Sequence, residues 1–346
     1  MDQAASIEPR IVEFDWLKML ALLLLIFVHS NLYSVFPEIM NPLKWFMVSC
    51  FFFISGFLAF SSFYKRGVRI RSFFKTKILL LYIPFLAASL LYFVVKTAFG
   101  MAPIDLVELL SNITLLNIFD LLNSMYNWGF LWFIPYLLVF MLIFCFLEKY
   151  IKSVKFQVFL VSLVWLITIF AWVYDTTMKP GQLFSQYFLV FMIGVWLNKL
   201  GMYEKVMSFR TAYVVVPLIA LFSLDFSNLF TFSNATETLK ALLYSNGRSI
   251  IFSLSAVLLV LLLFRKLKFP RNGYVELIAT TSIFIYLLDP FFGFILSNYL
   301  FGQPTLYVAD GAAFYLCQAA RFIIVFTLLP PAVKAIKNYI KKSPLS

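Results

Sequence analysis

A lysine and a histidine lie eleven residues apart in an apolar stretch near the start of the chain, Lys18 and His29 in FDWLKMLALLLLIFVHSNLY, residues 14–33. Eleven residues turn an α-helix about 20° past three full turns, so both side chains are predicted on one helix face, about 16 Å apart along the axis. His29 is the only histidine in the sequence. A neutral imidazole in an apolar site can act as a general base towards a hydroxyl, and it can equally make a structural hydrogen bond between helices. The pattern alone leaves both roles open.

A carboxylate and a guanidinium occur inside two later apolar stretches, Asp289 in TTSIFIYLLDPFFGF and Arg321 midway along the last one. Ionisable groups at the centre of a membrane span cost roughly 2.5–3.5 kcal/mol each, which makes them functional candidates. Asp289 is expected at a depth close to that of His29. The two charges are predicted either to pair with each other or to leave Asp289 to orient the imidazole, as carboxylates do in hydrolytic triads.

A basic loop follows the second apolar stretch, YKRGVRIRSFFKTK, with six lysines and arginines in residues 65–77. This number exceeds what orientation in a membrane requires, and it includes the spaced pair Arg66 and Arg69. Guanidinium groups suit phosphates because their fork matches the phosphate oxygens. Contact with anionic lipid headgroups, or topology alone, is the alternative explanation of the loop.

Aromatic and small residues give weaker signals. Trp128 and Trp132, in NWGFLWFIPYLLVF, are expected near the outer membrane face, where they form either an aromatic belt or a platform for a carbohydrate. Trp128, Trp132 and Arg321 are the candidates for contacts with a substrate. Ser55 and Gly56, in CFFFISGFLAF, favour close helix packing over chemistry. The three cysteines show no metal-ligand or redox spacing and are predicted to be buried apolar residues, so no metal site is expected.

The composition identifies the class of protein. Of the 346 residues, 62% are hydrophobic and 13% are charged, whereas an ordinary soluble domain is about 45–50% apolar and about 25% charged. Stretches long enough to span a bilayer recur along the chain, which predicts an all-α integral membrane protein with about ten transmembrane helices in one bundle. A single membrane domain is expected over residues 1–346, with a short segment 1–13 and a basic tail 333–346. The predicted spans are 14–34, 43–62, 78–99, 127–147, 156–174, 183–198, 210–229, 240–264, 274–298 and 311–332.

The charge distribution predicts the orientation. The formal net charge is +12, and with ten spans 22 of the 28 lysines and arginines belong to the side that carries both termini. Cytoplasmic loops of membrane proteins are enriched in these residues, so both termini are predicted in the cytoplasm. Topology explains most of the basic surplus, and no nucleic-acid partner is expected.

At this point the chain resembles the acyltransferase-3 family of membrane acyltransferases. The first matching stretch has an acidic residue, then Leu-Lys, and then the histidine, with ten residues between the lysine and the histidine. Two arginines after the second span also match a basic pair found in some members. The matching residues and stretches are Asp15, Leu17, Lys18 and His29, then FFFISGFL, LWFIPYLL and IYLLDP, with Arg66 and Arg69 as the basic pair.

The resemblance implies transfer of an acyl group from a cytoplasmic thioester, usually acetyl-CoA, to a hydroxyl of a surface glycan or lipid-linked sugar. It implies that Lys18, Arg66 and Arg69 hold the phosphates of the coenzyme and that His29 is essential. The acyl-CoA is a donor substrate, so no permanently bound cofactor is expected, and the location implied is the cytoplasmic membrane of a bacterium or archaeon. One position departs from the pattern: many members have Tyr-Leu-x-His-Pro where this chain has YLLDP, with Asp289 in place of the histidine.

Two other functions fit parts of the sequence. A glycan exporter of the same fold would also contain buried charges along a substrate path. Against it, no matched pair of Gly/Pro-interrupted spans occurs of the kind that inverted repeats produce. A degenerate member that serves as a scaffold is the third possibility, and the presence of Lys18 and His29 argues against it.

Overall fold

The fold is helical. The computed structural model describes residues 10–29, 37–65, 70–100, 103–116, 118, 131–174, 179–210, 212–225, 235–301 and 312–342, and no strand occurs among them. The helices are α1 (Val12–Val28), α2 (Pro37–Phe60), α3 (Ile70–Lys77), α4 (Ile83–Ala98), α5 (Leu106–Thr114), α6 (Phe133–Tyr150), α7 (Val154–Tyr174), α8 (Lys179–Lys199), α9 (Met202–Ser208), α10 (Ala212–Asp225), α11 (Ala235–Lys266), α12 (Gly273–Phe301), α13 (Ala312–Ile323) and α14 (Leu329–Lys342).

Short π-helical turns extend or join some of these helices. One continues α2, one joins α3 to α4 and one joins α13 to α14, so that the last two pairs run on without a loop. The turns are Ser61–Lys65, Ile78–Tyr82 and Ile324–Leu328.

The described helices include seven that are long and apolar enough to cross a membrane. The pair α8 and α9, which is bent by 88°, gives an eighth if it counts as one span. These eight overlap eight of the predicted spans. The other two predicted spans contain α1 and α10, each of which is followed by residues outside the described part of the chain. The prediction of an all-α membrane protein is confirmed, while the number of ten spans and the side of the termini stay predictions.

The chain divides into two compact units, each built from segments far apart in the sequence. Unit 1 comprises Met1–Leu17, Val48–Ile78 and Tyr136–Pro270, and unit 2 comprises Lys18–Met47, Leu79–Pro135 and Arg271–Ser346. The prediction of one domain over residues 1–346 stays a prediction. All the candidate site residues that the structure describes belong to unit 2: Lys18, His29, Trp132, Asp289 and Arg321.

Close backbone contact between α2 and α8 organises unit 1. A Cβ added to Gly56 would stand 1.9 Å from the carbonyl oxygen of Phe191, and one added to Gly194 would stand 2.2 Å from that of Phe53. Each helix therefore presents a glycine to the backbone of the other, as small residues do where membrane helices approach closely. The prediction that Gly56 serves helix packing is confirmed.

Replacing Gly56 with alanine should therefore prevent normal folding of unit 1. The new methyl group would overlap a backbone oxygen that has no rotamer to change, and overpacking of this kind costs at least about 1–3 kcal/mol. Thermal unfolding of the detergent-purified protein, followed by size exclusion, measures the loss. Gly247→Ala is the matched control, because Gly247 lies inside α11 of the same unit and its Cβ would meet nothing within 4 Å. An unchanged melting temperature in Gly56→Ala would contradict the close contact.

Unit 1 also contains a buried carboxylate whose partners are internal. Glu148 accepts hydrogen bonds from the Lys199 ammonium at 2.8 and 2.9 Å and from the Gln157 amide at 2.9 Å. Trp196 completes the network by donating to the carbonyl oxygen of Gln157 at 2.9 Å. Because each of these polar groups is satisfied by a neighbour, we interpret the network as a structural link between α6, α7 and α8.

Candidate active site

The candidate site is centred on a buried carboxylate in unit 2. Arg321 of α13 directs one edge of its guanidinium at Asp289 of α12: Nε donates to Oδ1 at 2.6 Å, and Nη2 donates to Oδ2. Asp289 is 0% exposed and Arg321 is 1% exposed. A bidentate arginine–carboxylate pair is the arrangement in which buried charges compensate each other best, because two charge-assisted hydrogen bonds replace water.

The same carboxylate also faces the histidine. Nδ1 of His29 lies 3.7 Å from Oδ2 of Asp289. This separation slightly exceeds a hydrogen bond, and contacts of this kind in enzymes are commonly long before substrate binds. The sequence suggested two partners for Asp289 as alternatives, and the structure brings both to it. Asp289 thus lies between a cation and a candidate base.

The end of α1 positions the histidine. His29 directly follows the last residue of α1, and its backbone N–H donates to the carbonyl of Leu25 at 2.8 Å, so the helical register continues from Lys18 to His29. The predicted spacing of about 16 Å on one helix face therefore applies to the folded chain. The His29 side chain keeps 21% of its surface exposed, and Lys18 is partly exposed.

A proline and a tyrosine shape the turn that carries Asp289. Pro290 lies inside α12 immediately after it. Proline has no N–H and its ring clashes with the carbonyl four residues earlier, which weakens the helix bonds of the preceding turn. The hydroxyl of Tyr92 in α4 donates to the carbonyl of Leu287 at 2.6 Å, an external partner of the kind that such turns use in membranes. Tyr92 was not predicted, although a tyrosine within an apolar span is a signal for such a bond.

Aromatic contacts connect two of the sequence motifs. In LWFIPYLL, the ring of Phe133 lies 5.2 Å from that of Tyr286 in IYLLDP. Trp132, predicted as a substrate contact near the outer face, is buried beside Phe133, with ring centroids 6.4 Å apart. Through Phe133, the LWFIPYLL motif thus packs against the helical turn that leads to Asp289. A substrate role for Trp132 stays a prediction.

Three predicted site residues lie outside the described part of the chain, namely Arg66, Arg69 and Trp128. Their roles stay predictions. Among the described residues no group of histidines, cysteines and carboxylates could hold a metal ion. The three cysteines are free and buried, as predicted: Cys50, Cys145 and Cys317.

The comparison with protein families agrees with the fold. The apolar helices define a membrane protein, in which a partly exposed histidine and a buried aspartate and arginine lie together in one unit. The family model described as "Acyltransferase domain" (acyltransferase-3) matches residues 11–330, and the chain belongs to this family. The resemblance noted from the motifs is confirmed. No curated protein and no solved structure matches the chain.

Proposed function

We propose that this chain is a membrane O-acyltransferase that moves an acyl group, most simply acetyl, from cytoplasmic acyl-CoA to a hydroxyl of a cell-surface polysaccharide or lipid-linked glycan. Family membership supports acyl transfer, and the contact of His29 with Asp289 is the observation that carries the chemistry. A histidine oriented by a carboxylate is the group most often used to remove a proton from a hydroxyl.

The proposed reaction is a direct transfer. The acceptor oxygen attacks the carbonyl carbon of the thioester while the imidazole of His29 takes the hydroxyl proton. The new C–O bond forms, the C–S bond breaks, and the proton passes to the departing coenzyme thiolate. A covalent intermediate on the enzyme is not needed. All three cysteines are buried, which supports a reaction without a cysteine nucleophile.

The donor would enter from the cytoplasmic end of α1. Lys18 is the described residue proposed to contact the coenzyme phosphates, because it is a partly exposed cation on the helix that leads to His29. The spacing of about 16 Å from Lys18 to His29 suits an extended thioester arm that joins phosphates to the reacting carbon. Arg66 and Arg69 remain proposed contributors to the same phosphates.

The acceptor would approach the exposed part of the His29 ring. The proposed location, the cytoplasmic membrane of a bacterium or archaeon, separates a cytoplasmic donor from a glycan at or beyond the outer face. Trp128 remains the proposed aromatic contact for a sugar, since aromatic residues at the outer interface present an apolar face with a polar edge.

Mass spectrometry of surface glycans and lipids tests this proposal. A deletion strain should lose one acyl mass from one glycan, and the wild-type gene should restore it, whereas the gene with His29→Gln should not. The mass lost identifies the acyl group, and the molecule that loses it identifies the acceptor. Glycans with unchanged acylation that accumulate inside the deletion strain would overturn the proposal in favour of export.

A further inference from the structure

We propose that Arg321 determines which nitrogen of His29 carries the proton, and that it does so through Asp289 and not by contact with substrate. The consequence for catalysis rests on the proposed function, because it concerns the base of that reaction. The proposed proton position is a property of the resting protein and can be measured without any assay of acyl transfer.

Arg321 is fully engaged with groups of the protein. Two of its nitrogens donate to the two carboxylate oxygens of Asp289, and Nη1 donates to the amide oxygen of Gln318 at 3.3 Å. Gln318 lies three residues before Arg321 on α13, so both side chains are on one face of that helix. All three guanidinium nitrogens thus donate to protein groups, and with 1% of its surface exposed Arg321 offers little surface to an acceptor.

This engagement fixes the carboxylate. Asp289 would otherwise rotate about its side-chain bonds, but a two-point contact with a planar guanidinium holds both oxygens in one orientation. In that orientation Oδ2 faces Nδ1 of His29 at 3.7 Å. Since both oxygens accept from a cation, the carboxylate is ionised, and an ionised carboxylate can only accept hydrogen bonds.

The imidazole must therefore present a donor at Nδ1. A neutral imidazole has one N–H and one basic nitrogen, so a proton on Nδ1 leaves Nε2 as the basic nitrogen. Nδ1 is itself buried, whereas the side chain as a whole keeps 21% of its surface exposed. The exposed surface thus belongs to other atoms of the side chain. A proton on the buried Nδ1 leaves the basic nitrogen, Nε2, on the ring position that does not face Asp289. Arg321 is a positioning residue on this interpretation.

The single histidine allows a direct measurement. The protein is labelled with ¹⁵N-histidine, purified with a tag that contains no histidine, and examined in detergent by NMR, in which a protonated and a basic ring nitrogen have well-separated ¹⁵N shifts. We expect one imidazole whose proton is on Nδ1. In Arg321→Gln this signal should change towards a mixture of the two tautomers, as it should in Asp289→Asn.

Arg271→Gln is the matched control. Arg271 also pairs with a carboxylate of α12, Glu276, at 3.2 Å, but its side chain is 70% exposed. Exposed ion pairs of this kind contribute little to stability, so the loss of this pair should leave the fold around His29 unchanged. The His29 spectrum of this variant should therefore equal that of the wild type. A proton on Nε2 in the wild type, or an unchanged spectrum in Arg321→Gln, would overturn the proposal.

Kinetics separate positioning from substrate binding. Arg321→Gln should lower kcat at least about tenfold, since a misoriented base loses most of its advantage, and leave KM for the acceptor nearly unchanged. In the Asp289→Asn background the same change should lower kcat no further. Arg321→Lys, which keeps a cation and one donor to Asp289, should restore part of kcat and serves as the second variant if the glutamine variant folds poorly. A raised acceptor KM that persists in the Asp289→Asn background would assign Arg321 to the substrate.

The two proposals fail in different ways. If glycan acylation does not depend on the gene but the wild-type spectrum shows the proton on Nδ1 and Arg321→Gln changes it, the proposed function fails and the role of Arg321 stands. If acylation depends on the gene but the His29 spectrum is unchanged in Arg321→Gln, the proposed role of Arg321 fails and the proposed function stands.

Discussion

Replacing His29 with alanine should abolish acyl transfer even at saturating donor. A general base typically contributes roughly 10²–10⁴-fold to the rate, and no second histidine exists in the sequence to substitute for it. The loss should appear in kcat, because the proton is removed only in the transition state. Transfer of labelled acetyl from acetyl-CoA to the acceptor in reconstituted vesicles measures it, with the amount of folded protein determined in parallel.

Two further variants distinguish a catalytic His29 from a structural one and from a residue that binds the donor. His29→Gln keeps approximate size and hydrogen-bonding capacity but loses the titratable ring, so a wild-type rate in that variant would make His29 a structural residue. Lys18→Gln, about three helical turns before His29, should instead raise the requirement for acyl-CoA and be partly rescued by more donor. A charge that contacts the bound donor and the transition state equally contributes uniform binding, which appears in KM.

Replacing Asp289 with asparagine should reduce both stability and activity. Asparagine has nearly the same shape, but it leaves the guanidinium of Arg321 buried without a counter-charge, and breaking a buried pair in this way costs about 3–5 kcal/mol. Thermal unfolding in detergent measures this loss. Glu276→Gln is the matched control: Glu276 lies in the first turn of the same helix and pairs with the exposed Arg271, so this variant should melt within a few degrees of the wild type.

The double variant Asp289→Asn with Arg321→Gln separates the two effects. Two neutral side chains can share a hydrogen bond, so much of the lost stability should return. Activity should remain low, because the imidazole still lacks its carboxylate. A double variant with both full stability and full activity would exclude Asp289 from the chemistry and leave it as a counter-ion.

The sequence predicted the members of the site better than their arrangement. Ionisable residues are rare inside apolar spans, so His29, Asp289 and Arg321 were identified from type alone, and helix periodicity gave the expected depth. Neither signal decides which of two partners a carboxylate takes. In the structure Asp289 takes both, since its two oxygens allow a bidentate contact on one side and a third neighbour on the other.

Contacts made by aromatic residues were harder to predict. Tyr92 and Leu287 are separated by 195 positions, and Phe133 and Tyr286 by more than a hundred. Helix periodicity describes one helix at a time and does not indicate which helices are neighbours. For the same reason Trp132 was predicted as either a belt residue or a carbohydrate contact, and the sequence did not indicate that Trp132 packs beside Phe133. The packing role of Gly56 could be predicted, because a small residue among large aromatic ones indicates that another helix approaches closely. The sequence did not show which helix that is.

The pairing of Asp289 with Arg321 also has a consequence for biogenesis. The carboxylate belongs to α12, which is synthesised before the arginine of α13, so the carboxylate would enter the lipid without its counter-charge if each helix left the translocon alone. A lone charge at a helix centre costs about 2.5–3.5 kcal/mol on insertion scales. We therefore expect α12 and α13 to partition into the bilayer together as a helical hairpin, and a nascent chain truncated after residue 301 to retain α12 at the translocon or expose it to proteolysis.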